Sequence, residues 1–177
     1  MVAGSARELA GSVVLVVSLT VACASDLRAR RIPNVLVLVL AVSGCVIAAS
    51  TTPWLASLAK AGAGLGVGLA LWLPFYVFGM LGAGDVKLFA AASTLLGPGP
   101  AIEGALYTAL FGGVVALVYM IGHSGLTSTL LGASHALQQP TLLRNTPGVK
   151  RVRLPYALAI TAGVLTAFWW PGHLLRF

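Results

Sequence analysis

Residues 9–33 read LAGSVVLVVSLTVACASDLRARRIP, an apolar run that ends abruptly in an aspartate and three arginines. The apolar part, 9–25, has the length that a helix needs to cross the hydrocarbon core of a bilayer, about 17–25 residues. Its flanks decide how it is used. Arg7 before the run is offset by Glu8, whereas Arg28, Arg30 and Arg31 follow it. An export signal carries its positive charge first, so the order is reversed. Thr20-Val21-Ala22-Cys23 loosely resembles a lipoprotein cleavage box, but with these flanks the segment is read as a retained span.

The rest of the chain has the same character. Of 177 residues 58% are hydrophobic and only 8% charged, with a mean hydropathy of +0.95. Soluble domains carry roughly a quarter charged residues, so lipid must be the solvent for most of this surface. Apolar runs at about 9–25, 34–50, 56–78, 85–97, 101–121 and 154–171 predict an all-α membrane protein, a polytopic bundle of six transmembrane helices in one domain, 1–177. The connections are short and polar or rich in Gly and Pro. One longer segment, about 122–153, carries His123, His135, Gln138, Gln139, Arg144, Lys150, Arg151 and Arg153. Within it Leu126, Leu130, Ala133 and Leu137 recur at helical spacing, which predicts an amphipathic segment on the cytoplasmic face near 125–139.

Charge sets the orientation. The formal net charge of +7 would suggest nucleic acid in a soluble protein; here it reads as topology, and no nucleic-acid partner is expected. With the 26–33 loop inside, the cytoplasmic side holds Arg28, Arg30, Arg31, Lys87, Arg144, Lys150, Arg151 and Arg153, and the outside Arg7, Lys60 and Arg176. That is the bias of the positive-inside rule, giving N-out and C-out. Trp54, Trp169 and Trp170 then fall at the outer interface, where aromatic belts form.

Several features have structural readings. Gly62, Gly64, Gly66 and Gly68 in span 3 are small residues at packing spacing within an apolar helix, not a phosphate loop; Pro74 lower in the span predicts a kink. Cys23 and Cys45 are too few for a zinc motif and lie at different depths, so both are read as small apolar fillers without a disulfide. His123 and His135 are read as solvated interface residues. No metal and no cofactor are expected.

Four acids remain: Glu8, Asp26, Asp85 and Glu103. Glu8 falls on the outer face, and Glu103 is expected in the first turn of span 5, where the helix dipole favours an anion. Asp26 closes span 1, running inward, and Asp85 opens span 4, running outward, so the two share the cytoplasmic face. Span 4 is short: 85–97 rises only about 20 Å, at ~1.5 Å per residue, against a core of ~30 Å. Asp85 is therefore expected below the surface, with the Gly-rich 79–84 segment dipping in before it, a backbone tolerated only where protein or a watery cavity surrounds it. Ionisable groups at such depth are functional by default. Two close carboxylates share one proton, so one activates water while the other hydrogen-bonds a carbonyl, the chemistry of an aspartyl peptidase. On residue type alone, ion pairs of Asp26 and Asp85 with Arg28, Arg30, Arg31 or Lys87 explain them equally well.

The flanking residues separate these readings. Asp26-Leu27-Arg28-Ala29-Arg30-Arg31-Ile32-Pro33-Asn34 resembles the first catalytic segment of the type IV prepilin peptidases, an Asp followed by Ile-Pro-Asn. Gly82-Ala83-Gly84-Asp85-Val86-Lys87-Leu88 resembles their second, the GxGD segment continued by Lys-Leu. A bare GxGD also occurs in presenilin-like proteases; the two segments in this order, on these spans, are specific, and the likeness covers about 9–121. It implies cleavage of the short basic leader of prepilins or pseudopilins at the cytoplasmic face of the inner membrane. It makes Asp26 and Asp85 the catalytic pair, with Gly82, Gly84, Lys87, Pro33 and Asn34 in support. It also implies membrane lipid and a pilus or type II secretion assembly machinery as partners. Paired Cys-x-x-Cys motifs and the N-terminal methyltransferase domain of longer members have no counterpart here, so the chain is similar to the short form of Flp or tight-adherence pili. From the residues alone, Pro33-Asn34 would start span 2 with Asn34 as its cap, and Lys87 would snorkel. Two other classes compete: a proton- or ion-coupled carrier using both aspartates as a relay, against which the absence of a repeat and the position of both acids at one face weigh, and a non-catalytic subunit of a pilus machine.

Overall fold

The computed structural model describes residues 2–51, 53–124 and 156–172. Among these it contains six helices and no strand: α1 (Val2–Ala29), α2 (Asn34–Ala49), α3 (Trp54–Val77), α4 (Ala83–Leu96), α5 (Pro98–Ser124) and α6 (Tyr156–Trp169). The chain is an all-α membrane protein. Three segments, Arg7–Ala29, Trp54–Val77 and Pro98–Val118, are long and apolar enough to cross a membrane, while α2 and α6 are shorter apolar helices. The expected spans thus appear as helices, α1 and α5 markedly longer than expected. Helix α1 runs past Asp26 to Ala29, so Asp26 sits in its last turns instead of a loop. Helix α5 starts at Pro98 and includes His123. The amphipathic segment expected near 125–139 lies outside the described residues, with His135, Arg144, Lys150, Arg151 and Arg153.

Helix α4 is the centre of the bundle. It has only 14 residues, yet nine of them are buried, from Val86 to Leu96, and it packs against each of the other five helices. A helix enclosed by protein on all sides has no lipid-facing stripe, and its polar atoms must be satisfied internally. The buried hydroxyls of Ser93 and Thr94 accordingly donate back to the carbonyls of Phe89 and Ala91, at 2.8 and 2.7 Å.

Close packing rather than water exclusion must hold such helices together, since lipid is as apolar as their side chains. Small residues supply the approach. Gly64 and Gly68 of α3 face α4: a methyl group added at Gly68 would lie 2.9 Å from the Ala90 Cα, and one at Gly64 would collide with the Ser93 carbonyl oxygen. Gly44 of α2 similarly faces Thr94, and Gly163 of α6 faces Thr108 of α5. Gly62 and Gly66 meet nothing within 4 Å, so two of the four glycines expected to pack do so and two face outward. The aromatic part of the core is Trp72 of α3 against Phe89 of α4, with ring centroids 5.5 Å apart.

Contacts at the two ends show that successive helices alternate in direction. At one end the last turns of α1 and the starts of α2, α4 and α6 come together, as Ile32 meets Gly84 and Asp26 meets Ala157. At the other, Lys60 lies on Gly97 and Glu103 bonds Gly172. Trp54, Trp169 and Trp170 are exposed at this second end, in agreement with a shared aromatic belt. Glu103 differs from expectation. It lies a turn beyond the start of α5, is only 2% exposed, and accepts a 2.8 Å hydrogen bond from the Gly172 backbone N–H. Its partner is therefore the turn after α6 and not the dipole of its own helix. Cys23 and Cys45 are both free.

This arrangement predicts opposite effects for neighbouring glycines. Gly64→Ala should lower thermal stability in detergent by the ~1–3 kcal/mol typical of overpacking, whereas Gly62→Ala should be neutral or slightly stabilising. Equal melting temperatures for the two variants would refute the packing role of Gly64.

Candidate functional site

The end of the bundle that gathers Asp26 and Asp85 is built by three helix termini. The first is the C-terminus of α1. It closes on Arg30, whose φ of 50° lies in the left-handed region, the one non-glycine residue so placed among those described. Its N–H donates to the Asp26 carbonyl at 2.8 Å, the single bond of an αL helix ending. The Ser25 hydroxyl then donates to the Arg31 carbonyl at 2.8 Å, folding residues 30–33 back against the helix end. The turn delivers Ile32 inward, where it is part of the apolar core.

The second terminus is the start of α4. Helix α3 stops in a Schellman motif: Gly79 has a φ of 71°, its N–H donates to the Tyr76 carbonyl, and the Met80 N–H reaches the Phe75 carbonyl, both at 2.9 Å. Gly79 is therefore needed for its backbone conformation. The chain turns through Gly82, and α4 begins. Asp85, in its first turn, reaches back to accept the Gly82 N–H at 3.2 Å. That is half of a capping box, with the carboxylate at the positive end of the helix dipole.

The two motif segments touch directly. A methyl group at Gly84 would lie 3.3 Å from the Ile32 Cβ, so the second glycine of Gly-x-Gly-Asp is where the Ile-Pro-Asn segment packs. Pro33 occupies the N-cap position of α2 in an extended conformation, with no side-chain cap hydrogen bond. Asn34 is thus the first helical residue and not the cap, contrary to expectation: proline fixes its own φ and biases the helix to start just after it. Asn34 and Pro33 are both exposed. Lys87 projects from a different face of α4 than Asp85, beside Val37, Leu65 and Leu69.

Asp26 and Asp85 lie within electrostatic reach of one another. The Asp85 carboxylate is engaged by the Gly82 amide, with Asp26 close enough to act on it through its charge. Both carboxylates are part-buried.

The third terminus was not foreseen. Ala157, in the first turn of α6, directs its backbone N–H at the Asp26 Oδ2, 3.4 Å away, and the neighbouring Tyr156 lies within electrostatic reach of Asp85. The Tyr156 ring also stands edge-on to Trp72, at a centroid separation of 6.4 Å. The signal available in the sequence was positional: span 6 leaves the same face as the aspartates, and Tyr156 is its first aromatic residue.

Residues 13–121, well over half of the chain, match the type IV leader peptidase family. No curated protein and no solved structure matches the chain. The matched stretch begins within α1 and ends within α5, and contains both aspartates and both motif segments. With these segments in contact at one end of an all-helical membrane bundle, the chain belongs to the type IV leader peptidase family.

Proposed function

We propose that the chain is an aspartic endopeptidase of the inner membrane that removes the basic leader from type IV prepilins or pseudopilins of the Flp-like kind, with Asp26 and Asp85 as its catalytic pair. The observation that carries this reading is the contact of the Ile-Pro-Asn segment with Gly84, which supports a shared site for the two aspartates. The surplus of Lys and Arg flanking this end supports a cytoplasmic orientation, which is where a prepilin leader meets the membrane.

The chemistry follows from the pairing. One carboxylate, ionised, takes a proton from water; the other, protonated, donates a hydrogen bond to the scissile carbonyl. Water attacks to give a tetrahedral intermediate, which collapses as the leaving amine takes up a proton. The protons exchange between two groups that titrate as a unit, so the base is a property of the pair. Gly82, where an added methyl group would lie 3.0 Å from the Asp85 Oδ2, keeps side chains away from that carboxylate and lets an extended substrate backbone come close, while Gly84 makes room for Ile32. Lys87, Pro33 and Asn34 serve in support, the latter two by starting α2 where Ile32 is held.

Co-expression with a prepilin provides the test. Asp26→Asn and Asp85→Asn should each reduce leader removal by at least the ~10²–10⁴-fold typical of a lost acid–base group, read as the loss of the mobility shift on an immunoblot, with the protein still in the membrane fraction. Processing at near wild-type rate by either variant would sink the dyad reading. A second test addresses the contact itself. Gly84→Val should impair processing by pushing Ile32 away, and adding Ile32→Ala should restore part of it; a Gly84→Val enzyme of normal rate would show the contact to be incidental.

A further inference from the structure

The first turn of α6 lies beyond the matched residues 13–121, yet it approaches both aspartates. We propose that this turn is a positioning element of the site, held in place by Tyr156 acting as a wedge, and that it sets the geometry of Asp26 through the Ala157 backbone N–H. This rests on the peptidase reading above.

Three contacts carry the inference. The Ala157 N–H points at the Asp26 Oδ2 at 3.4 Å, and Ala157 itself is completely buried. As an N-terminal amide of a helix it has no intrahelical acceptor, so a carboxylate is its natural partner. The Tyr156 side chain is then clamped from two sides. On one side is Trp72, buried between Phe75, Phe89 and Tyr156. On the other is Gly112 of α5, where an added methyl group would sit 2.7 Å from the Tyr156 hydroxyl oxygen and 2.9 Å from Cζ. The ring fits only because position 112 has no side chain. Gly112 thus reads as a receptor for the ring, distinct from Gly104, which faces Ala167 and Phe89. Since α3 and α5 converge on one ring, its position fixes the start of α6, and with it the amide beside Asp26. Tyr156 acts through that amide and not on the substrate.

The closing experiment uses the purified full-length protein in detergent and a synthetic peptide with a basic leader followed by an apolar segment. Tyr156→Ala should lower kcat by about 10–10²-fold, the cost of a displaced catalytic group, with KM within about twofold. Tyr156→Phe, which keeps the ring, should recover most of that loss. Gly112→Ala displaces the ring without cutting it away and should also lower kcat. Combined with Tyr156→Ala it should add little, because both act through one contact. A Tyr156→Ala or Gly112→Ala enzyme with normal kcat overturns the proposal. So does a raised KM at unchanged kcat, which would make Tyr156 a substrate contact, or a Tyr156→Phe enzyme as impaired as Tyr156→Ala, which would assign the effect to the hydroxyl. The parent reading fails separately: if Asp26→Asn and Asp85→Asn cleave the peptide normally there is no dyad to position, whereas inactive aspartate variants beside a fully active Tyr156→Ala enzyme overturn the wedge alone.

Discussion

A helix of fourteen residues is too short to cross a bilayer, and α4 is held in this bundle by being enclosed. Every other helix touches it, so its ends need not reach either water phase and its backbone is satisfied within protein. In lipid, that enclosure cannot come from the hydrophobic effect between helices; it depends on how closely backbones approach. Gly44, Gly64 and Gly68 supply that approach from α2 and α3. The shortness of α4 and the glycines around it are two sides of one constraint.

The same constraint positions Asp85. The first turn of an enclosed helix opens into a protein-walled setting, and there the residues available to meet a carboxylate are the ends of neighbouring helices. Asp85 meets the Gly82 amide and Asp26, and Asp26 meets the Ala157 amide. Backbone amides at helix starts are donors that do not themselves titrate, and they favour the charged form of a carboxylate they face. Arg28, Arg30 and Arg31, which follow Asp26 in the chain, are exposed.

What the sequence made legible was governed by short-range rules. Hydropathy located six helices, because length and apolar content are local properties, and the two motif segments marked the family, because their residues are contiguous. The errors arose where a partner is distant. Glu103 looked like a first-turn acid and instead bonds Gly172, a residue from the far side of α6. Asn34 looked like a cap, but Pro33 before it takes that position. Gly62 and Gly66 shared a spacing with Gly64 and Gly68, yet spacing alone cannot say which stripe of a helix meets a neighbour. The approach of Ala157 to Asp26 could not be read from the sequence around it at all, since the apolar start of a span looks alike whether or not a carboxylate lies across from it.

Helix α6 is secured at both of its ends by a carboxylate: Asp26 at its first turn and Glu103 just after its last. This has a consequence in time. A chain made from its N-terminus has both aspartates and both motif segments in place while α6 is still to come. The Ala157 amide reaches Asp26 only after α6 has entered the bundle. The order of synthesis therefore makes the Ala157–Asp26 contact form later than the contact between the motif segments, and ties it to the same event that satisfies the buried Glu103 at the opposite end.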